Sequence, residues 1–224
     1  MMSPPHQSIR RAARALASAL AAAAAALALS SCQSTGGNYG PGAGFFHTVI
    51  VDAGHGGHDE GAHACSGARE KSLTLDTSRR LASVLRSNGM RVIENRTGDY
   101  FVTLGKRASV SNSTGQAVFV SIHYNHSGRR GAHGIEIYYN ALRAKRLAAN
   151  ILRESLRAYP TDNRGIKKGR FYVLRNNQRP AVLCELGFVS NPSDNRNIQN
   201  PAVRQRIAER VAAGILAEKA GRRP

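Results

Sequence analysis

The chain has no tryptophan, 6% aromatic residues and three cysteines among its 224 residues. With so few cysteines, a disulfide framework does not carry the fold, and a single bridge is optional in a domain of this size. Acidic residues are scarce, 14 against 32 Lys and Arg, which leaves a formal charge of +18 and points to anionic surroundings. No apolar run is long enough for a confident membrane span; residues 15–29 match only the apolar region of an export signal. There is no internal repeat and no second linker, which excludes a solenoid or a string of modules. No HExxH helix is present, so the most compact zinc-hydrolase signature is missing. What is there suits one domain with an appendage: a 42% hydrophobic fraction, enough for a core, and 22 glycines spread along the chain.

The appendage reads as an export signal. Arg10, Arg11 and Arg14 form a positive start, residues 15–29 are nearly all Ala and Leu, and the run closes on Leu29-Ser30-Ser31-Cys32. Small residues ahead of a cysteine, with Leu three positions upstream, resemble the bacterial lipobox. That resemblance implies a lipoprotein signal over residues 1–31 and lipidation of Cys32, the first mature residue. Several acyl chains on one residue anchor firmly, where one chain holds marginally. The alternative is an ordinary cleaved signal with Cys32 incidental. Gln33 in place of Asp favours, by analogy with lipoprotein sorting, the periplasmic face of an outer membrane if the cell has one. Otherwise the anchor sits on the outer face of the plasma membrane.

Residues 1–31 carry three Arg and no acid, so the mature chain keeps +15. Nucleic acid is the reflex partner for such a charge, but an exported protein does not meet a genome. Wall polymers and lipid head groups are what it meets. Residues 32–44 are rich in Gly and Ser and uncharged, a flexible tether, and the domain occupies residues 45–224. Of its two cysteines, Cys184 lies in an apolar run and reads as a buried thiol; export permits a bridge to Cys65 without requiring one.

Strand and helix alternate through the domain. Residues 48–52, 117–122 and 181–186 are apolar, β-branched runs of the kind buried on both faces of a parallel sheet. Residues 90–95, 134–139 and 171–174 read as further strands, the second of them half-buried. Helical stripes cover 72–88, with Gly89 as a stop, then 104–111 and 141–159. The last helix starts at Asn200 as N-cap and Pro201 at the first position, with Val203, Ile207, Val211 and Ile215 on one face. The expected architecture is α/β, a three-layer sandwich with a mostly parallel central sheet flanked by helices. Sites in such sheets gather at the carboxyl ends of the strands.

Four candidates stand at strand ends or in the loops leaving them: His55, Glu70, His123 and Glu185. Two histidines and a carboxylate form a familiar zinc-hydrolase set with room for water, and a further carboxylate is then wanted as acid and base. The spacings are long, so the chemistry alone is only modestly specific. The blocks V-I-V-D-A-G-H-G-G (49–57), G-A-R-E-K (67–71), F-V-S-I-H-Y-N (119–125), R-G-I-K (164–167) and P-A-V-L-C-E-L-G-F-V-S-N (180–191) add more. In this order they resemble the zinc-dependent N-acetylmuramoyl-L-alanine amidases of the amidase-3 type, over nearly the whole mature domain.

The resemblance implies that His55, Glu70 and His123 hold Zn2+ and that Glu185 is the catalytic acid and base. The implied reaction is hydrolysis of the amide between N-acetylmuramic acid and L-Ala of the peptidoglycan stem peptide, in the cell envelope. Asn125 and Arg164 lie in matching blocks as candidate substrate contacts, though a plain surface role fits them equally. Asp52 either holds a ligand histidine or caps its turn; Glu136 is a rival base. His47, His58, His63, His126 and His133 are not expected to be ligands. Some cell-division members carry a long insertion holding a helix that plugs the metal. Here the stretch from Tyr139 to Arg164 has room for one ordinary helix and a turn, so no inbuilt autoinhibitory insert is expected. The rival functions are a zinc amino- or carboxypeptidase acting on wall peptides and a non-catalytic wall-binding lipoprotein.

Overall fold

The computed structural model describes residues 42–129, 131–222 and 224. The expected signal, Cys32 and the tether as far as residue 41 lie outside the described residues. Six strands, β1 (Thr48–Ala53), β2 (Arg91–Glu94), β3 (Ala117–Asn125), β4 (Ile135–Tyr139), β5 (Asn163–Lys168) and β6 (Ala181–Phe188), form one sheet in the order β2-β1-β3-β6-β4-β5. β2, β1, β3 and β6 are parallel to one another, β4 is antiparallel to β6, and β5 is parallel to β4. The sheet is thus mostly parallel, as expected.

The helices are α1 (Glu70–Ser87), α2 (Leu104–Asn112), α3 (Leu142–Ser155), α4 (Tyr172–Arg175), α5 (Pro192–Gln199) and α6 (Pro201–Lys219). Leu81 and Leu85 of α1, Leu147 and Ile151 of α3, and Ile207 and Val211 of α6 pack on one face of the sheet, against Val49, Val51, Val120, Ile122 and Cys184. On the other face Val110 of α2 and Val173 and Leu174 of α4 meet Ile50, Phe119 and Leu183. Each buried strand divides its side chains between the two layers because successive residues point to opposite faces. That is why 117–122 and 181–186 show unbroken apolar runs. Asn200 caps α6 by accepting from the Ala202 amide, with Pro201 at the first position, and Gly89 follows α1 at φ 74°.

Four features differ from expectation. Residues 171–174 are not a strand: α4, one helical turn, spans Tyr172–Arg175. The run Phe-Tyr-Val-Leu has strand propensity, but the chain must reverse there to bring β6 back into the sheet, and a single turn buries Val173 and Leu174 together. β5, Asn-Arg-Gly-Ile-Lys-Lys, is an edge strand whose polar composition hid it. α5, polar except for Ile198, also lacks an apolar stripe to announce it. Because β5 covers the edge of β4, Ile135, Glu136 and Ile137 of β4 are buried, so that strand is more enclosed than its alternation suggested. Among the described residues Cys65 is an exposed free thiol and Cys184 a buried one.

The strand directions define two ends of the domain. The carboxyl ends of β1, β2, β3 and β6 and the starts of β4 and β5 form a rim. The opposite ends form a base, where α3 begins and α1, α2 and α6 finish. At the base the Ala43 amide donates to Glu218 Oε1 at 2.6 Å, and Arg146 Nε donates to Glu218 Oε2 at 2.9 Å.

Candidate active site

On the α2/α4 face of the sheet the strand parity that buries Ile50, Phe119 and Leu183 continues to the rim as Asp52, His123 and Glu185. His123 and Glu185 are register partners on adjacent strands. Apolar positions lower in these strands therefore aim polar ones into a shared cleft above.

His55 follows β1 in a tight turn and has φ 61°, a conformation that costs a non-glycine residue energy and is held by its surroundings. Two buried arginines hold it. Arg107 Nη1 donates to Asp52 Oδ1 (2.8 Å) and the Ala53 carbonyl (2.6 Å), and its Nη2 donates to the His55 carbonyl (2.7 Å). Arg96 Nε donates to the Ala53 carbonyl (3.0 Å) and its Nη2 to the Gly54 carbonyl (2.7 Å). Four of these five bonds go to the carbonyls of Ala53, Gly54 and His55, at and just beyond the end of β1.

Glu70 is the first residue of α1 and is buried. Its Oε2 accepts from the Ala62 amide (2.9 Å) and lies 3.2 Å from His55 Nε2; its Oε1 accepts from the Tyr124 amide (3.1 Å) and lies 3.0 Å from His123 Nδ1. The imidazoles of His55 and His123 meet edge to face, centroids 4.9 Å apart. Glycines make this approach possible. A Cβ on Gly54 would stand 2.3 Å from the His123 ring, and one on Gly61 would stand 2.7 Å from both Glu70 and His55.

Among the described residues, His55, Glu70 and His123 form one group whose ligand atoms lie within 4.8 Å of one another, compatible with a shared divalent ion. The electrostatics agree. Burial disfavours charge on His55, but Glu70 and Asp59 outweigh it and raise the imidazole to about 9. Burial opposes charge on His123 too, and Glu70 again prevails and raises it. Glu70 is held well below the usual carboxylate range: its burial is overcome by hydrogen bonds from both rings. A site that favours a proton on each imidazole around one carboxylate favours a cation between them for the same reason. Two histidines and a carboxylate suit zinc and leave a coordination position open.

Sequence reasoning missed Asp59. Its Oδ1 sits 2.8 Å from His55 Nδ1, which leaves Nε2 facing Glu70. A carboxylate on the far nitrogen fixes tautomer and ring orientation. The one available signal was Asp four residues beyond His55 in a glycine-rich loop. Asp52, by contrast, touches no ligand histidine: its oxygens take Arg107, Asn95 Nδ2 (3.0 Å) and Ser121 Oγ (2.7 Å). Asp59→Ala is expected to weaken the affinity of the His55, Glu70 and His123 group for a divalent ion about 10- to 100-fold, read by titration with a competing chelator. An unchanged affinity would show that the turn alone orients His55.

Glu185 differs from every other carboxylate in the cleft. Its Oε2 is buried and has no hydrogen-bond partner. Burial lifts its pKa to about 7, with Glu70 and Glu136 adding to the rise and His123 opposing it. The unfolded chain ionises this group near 4.5, so folding is penalised as pH rises from there to about 7 and stays penalised above. The span corresponds to about 3 kcal/mol at about 1.4 kcal/mol per pH unit. Metal-free Glu185→Gln is therefore expected to melt several degrees above the metal-free parent at pH 8, with no gain at pH 4. Equal melting at both would mean that Glu185 is better solvated than its burial implies.

Glu136, the rival base, is fully engaged. Its Oε1 accepts from Asn125 Nδ2 and Tyr138 Oη, both at 2.9 Å, and its Oε2 from Arg164 Nε (3.0 Å) and Lys167 Nζ. Burial works against its charge, but Lys167, Tyr138 and Arg164 keep its pKa low. A carboxylate with both oxygens occupied is a poor proton carrier. Asn125 and Arg164 thus meet through Glu136, the register partner of Glu185, and the Arg164 guanidinium lies 4.9 Å above the Phe188 ring. His47, His58, His63, His126 and His133 stand outside the convergent group; His58 packs on Phe101 at 4.2 Å, and His63 bonds Arg69.

Beside the ligands opens a cleft of about 330 Å³, walled by Phe101, Leu104, Phe171 and Tyr172 and bounded by His55, His123 and Arg107. All four wall residues are large apolar or aromatic side chains left exposed. An apolar wall facing a cluster of ionisable groups is the usual build of a small-molecule or polymer-end site.

This geometry has relatives. YqiI of Bacillus subtilis, an uncharacterized protein, is 37% identical over 172 residues, which are 75% of this chain and 82% of YqiI. N-acetylmuramoyl-L-alanine amidase LytC of the same species is 31% identical over 173 residues, but the chain spans only 35% of it. Among solved structures, the catalytic domain of CwlV, an N-acetylmuramoyl-L-alanine amidase from Bacillus (Paenibacillus) polymyxa var. colistinus, superposes with TM-score 0.74 at 32% identity. That match covers 79% of this chain and 99% of the domain. AmiC2, an N-acetylmuramoyl-L-alanine amidase of Nostoc punctiforme, gives 0.73 at 34% identity, over 79% and 97%. Residues 49–217 match the family model described as N-acetylmuramoyl-L-alanine amidase, and the chain belongs to this family, Amidase_3.

Proposed function

We propose that the chain is a zinc-dependent peptidoglycan hydrolase cutting the amide that joins N-acetylmuramic acid to L-Ala of the stem peptide. The observation that carries this reading is the convergence of His55, Glu70 and His123 beside one unpartnered buried carboxylate, Glu185. When bound, zinc supplies a Lewis acid that brings the pKa of water down to roughly 7 and polarises a carbonyl oxygen. The protein does the rest. His55, Glu70 and His123 would hold the ion; Asp59 and the two backbone amides on Glu70 keep their side chains in place. Glu185, on the strand next to His123, takes the proton of the attacking water and passes it to the leaving nitrogen of L-Ala. A carboxyl near 7 is suited to both halves of that transfer. The apolar wall shields the reaction from bulk water.

Around this core, residues 1–31 act as a lipoprotein signal, Cys32 as the lipid attachment and residues 32–44 as a tether, with the enzyme in residues 45–224 working in the cell envelope. The segment between β4 and β5 holds α3, packed on the sheet face away from the cleft. In this reading, access to the site is governed by location, abundance or a partner rather than by a helix that plugs the ion.

Mass spectrometry of muropeptides after digestion tests the reaction. Free stem peptides with an L-Ala amino terminus are expected. Trimmed peptides still attached to sugar would make the chain a peptidase, and intact muropeptides with retention on sacculi would make it a binding protein.

A further inference from the structure

The base of the domain, opposite the cleft, has a character of its own. Of the 14 acidic residues, Glu218 alone lies there, and it is buried against Arg146 and Asn150. The others stand at the rim or partway along the helices. Arg91, Arg143, Lys168, Arg170, Arg175 and Lys219 are exposed at the base, and none of the six ion pairs with a carboxylate among the described residues. Lys168, Arg170 and Arg175 line a recess of about 660 Å³ with Asn140 and Asn177. Phe45, 75% exposed, and Leu142, 64% exposed, also project from this end, the first just ahead of β1 and the second at the start of α3. They are the most exposed of the large hydrophobic residues in the described part of the chain.

We infer that the base is a membrane-docking face that lies on anionic lipid head groups, with Phe45 and Leu142 entering the acyl boundary and the basic side chains around them meeting phosphates. The exposed Phe45 and Leu142 favour a lipid surface over a soluble polyanion. A polyanion gains from the cations but gives protruding Phe and Leu side chains nothing to enter, whereas a bilayer interface accepts both. The first described residues lie at this same end, Ala43 held on Glu218 and Gly42 against Arg146. Docked this way, the cleft faces away from the bilayer, about the height of one domain above it. The inference does not depend on the reaction: the face would bind lipid whatever the cleft cuts.

The compact unit of residues 38–224 serves for the test, because it holds the whole sheet and solved catalytic domains are spanned almost entirely by the same region. It is expected to sediment with phosphatidylglycerol-containing vesicles and not with phosphatidylcholine alone, and to be released by about 0.5 M salt, where charges are screened within a few ångströms. Phe45→Ser with Leu142→Ser should lower partitioning about tenfold or more, and Lys168→Glu with Arg170→Glu and Arg175→Glu should abolish it, each with an unchanged circular dichroism spectrum. A fluorophore on the exposed Cys65, at the rim, should escape quenching by quencher-bearing lipid. No binding to phosphatidylglycerol vesicles, or quenching of the Cys65 label, would overturn the inference. Binding that ignores the Phe45 and Leu142 changes and is fully competed by polyphosphate would overturn it in favour of a polyanion.

Discussion

On the proposed function, Glu185→Gln is expected to lower the rate of stem-peptide release by about three orders of magnitude while the protein still holds its metal ion. The magnitude follows from the usual contribution of a positioned acid and base, about 10² to 10⁴. Glutamine keeps the size and the strand position, so His123 on β3 beside it does not move; it cannot accept and return a proton. The expected signature is a fall in kcat with little change in KM, measured on purified muropeptides, together with unchanged metal content by elemental analysis. No nearby carboxylate is placed to compensate, since Glu136 has both oxygens committed to four donors. A variant within tenfold of the parent would move the proton transfer away from Glu185.

His123→Ala loses metal and turnover together. His123 Nδ1 stands 3.0 Å from Glu70 Oε1, and with the ring gone two ligands remain, His55 and Glu70. Two protein ligands hold zinc far more weakly than three. Activity is expected to fall below detection at micromolar zinc, and the metal should dialyse away where the parent retains it. Chelation of the parent should reproduce the loss, and added zinc should reverse it. Retained metal in His123→Ala would mean that a different side chain completes the site. The contrast between the two variants separates ion holding from proton handling, which a loss of activity alone does not.

Much of this arrangement could be read from residue order. The unbroken apolar runs of β1, β3 and β6 forced them to the middle of a sheet, and the polar residues ending those runs had to face its rim. His55, His123 and Glu185 follow from that reasoning, and Glu70 from its place at the start of α1. The parts that escaped depend on long-range partners. Arg96 and Arg107 look like surface cations in the chain, yet both are buried because the turn after β1 offers them carbonyls. Asp59 looked like one more loop acid until the fold set it against His55. β5 is too polar to signal a strand and exists because β4 supplies its hydrogen bonds. Phe171, Tyr172, Val173 and Leu174 carry strand propensity that chain reversal overrides. Local composition reports burial well; it reports pairing poorly.

The reversed direction of β4 and β5 leaves a margin for growth. Both connections that feed these strands, residues 126–134 and 156–162, arrive at the rim, while His55, Glu70 and His123 come from the turn after β1, the start of α1 and the end of β3. Extra residues inserted in either connection would roof the cleft without shifting the register of any strand that bears a ligand. New lids, tighter mouths or pockets for longer polymers are therefore open to grafting on this scaffold, with the chemistry beneath left in place.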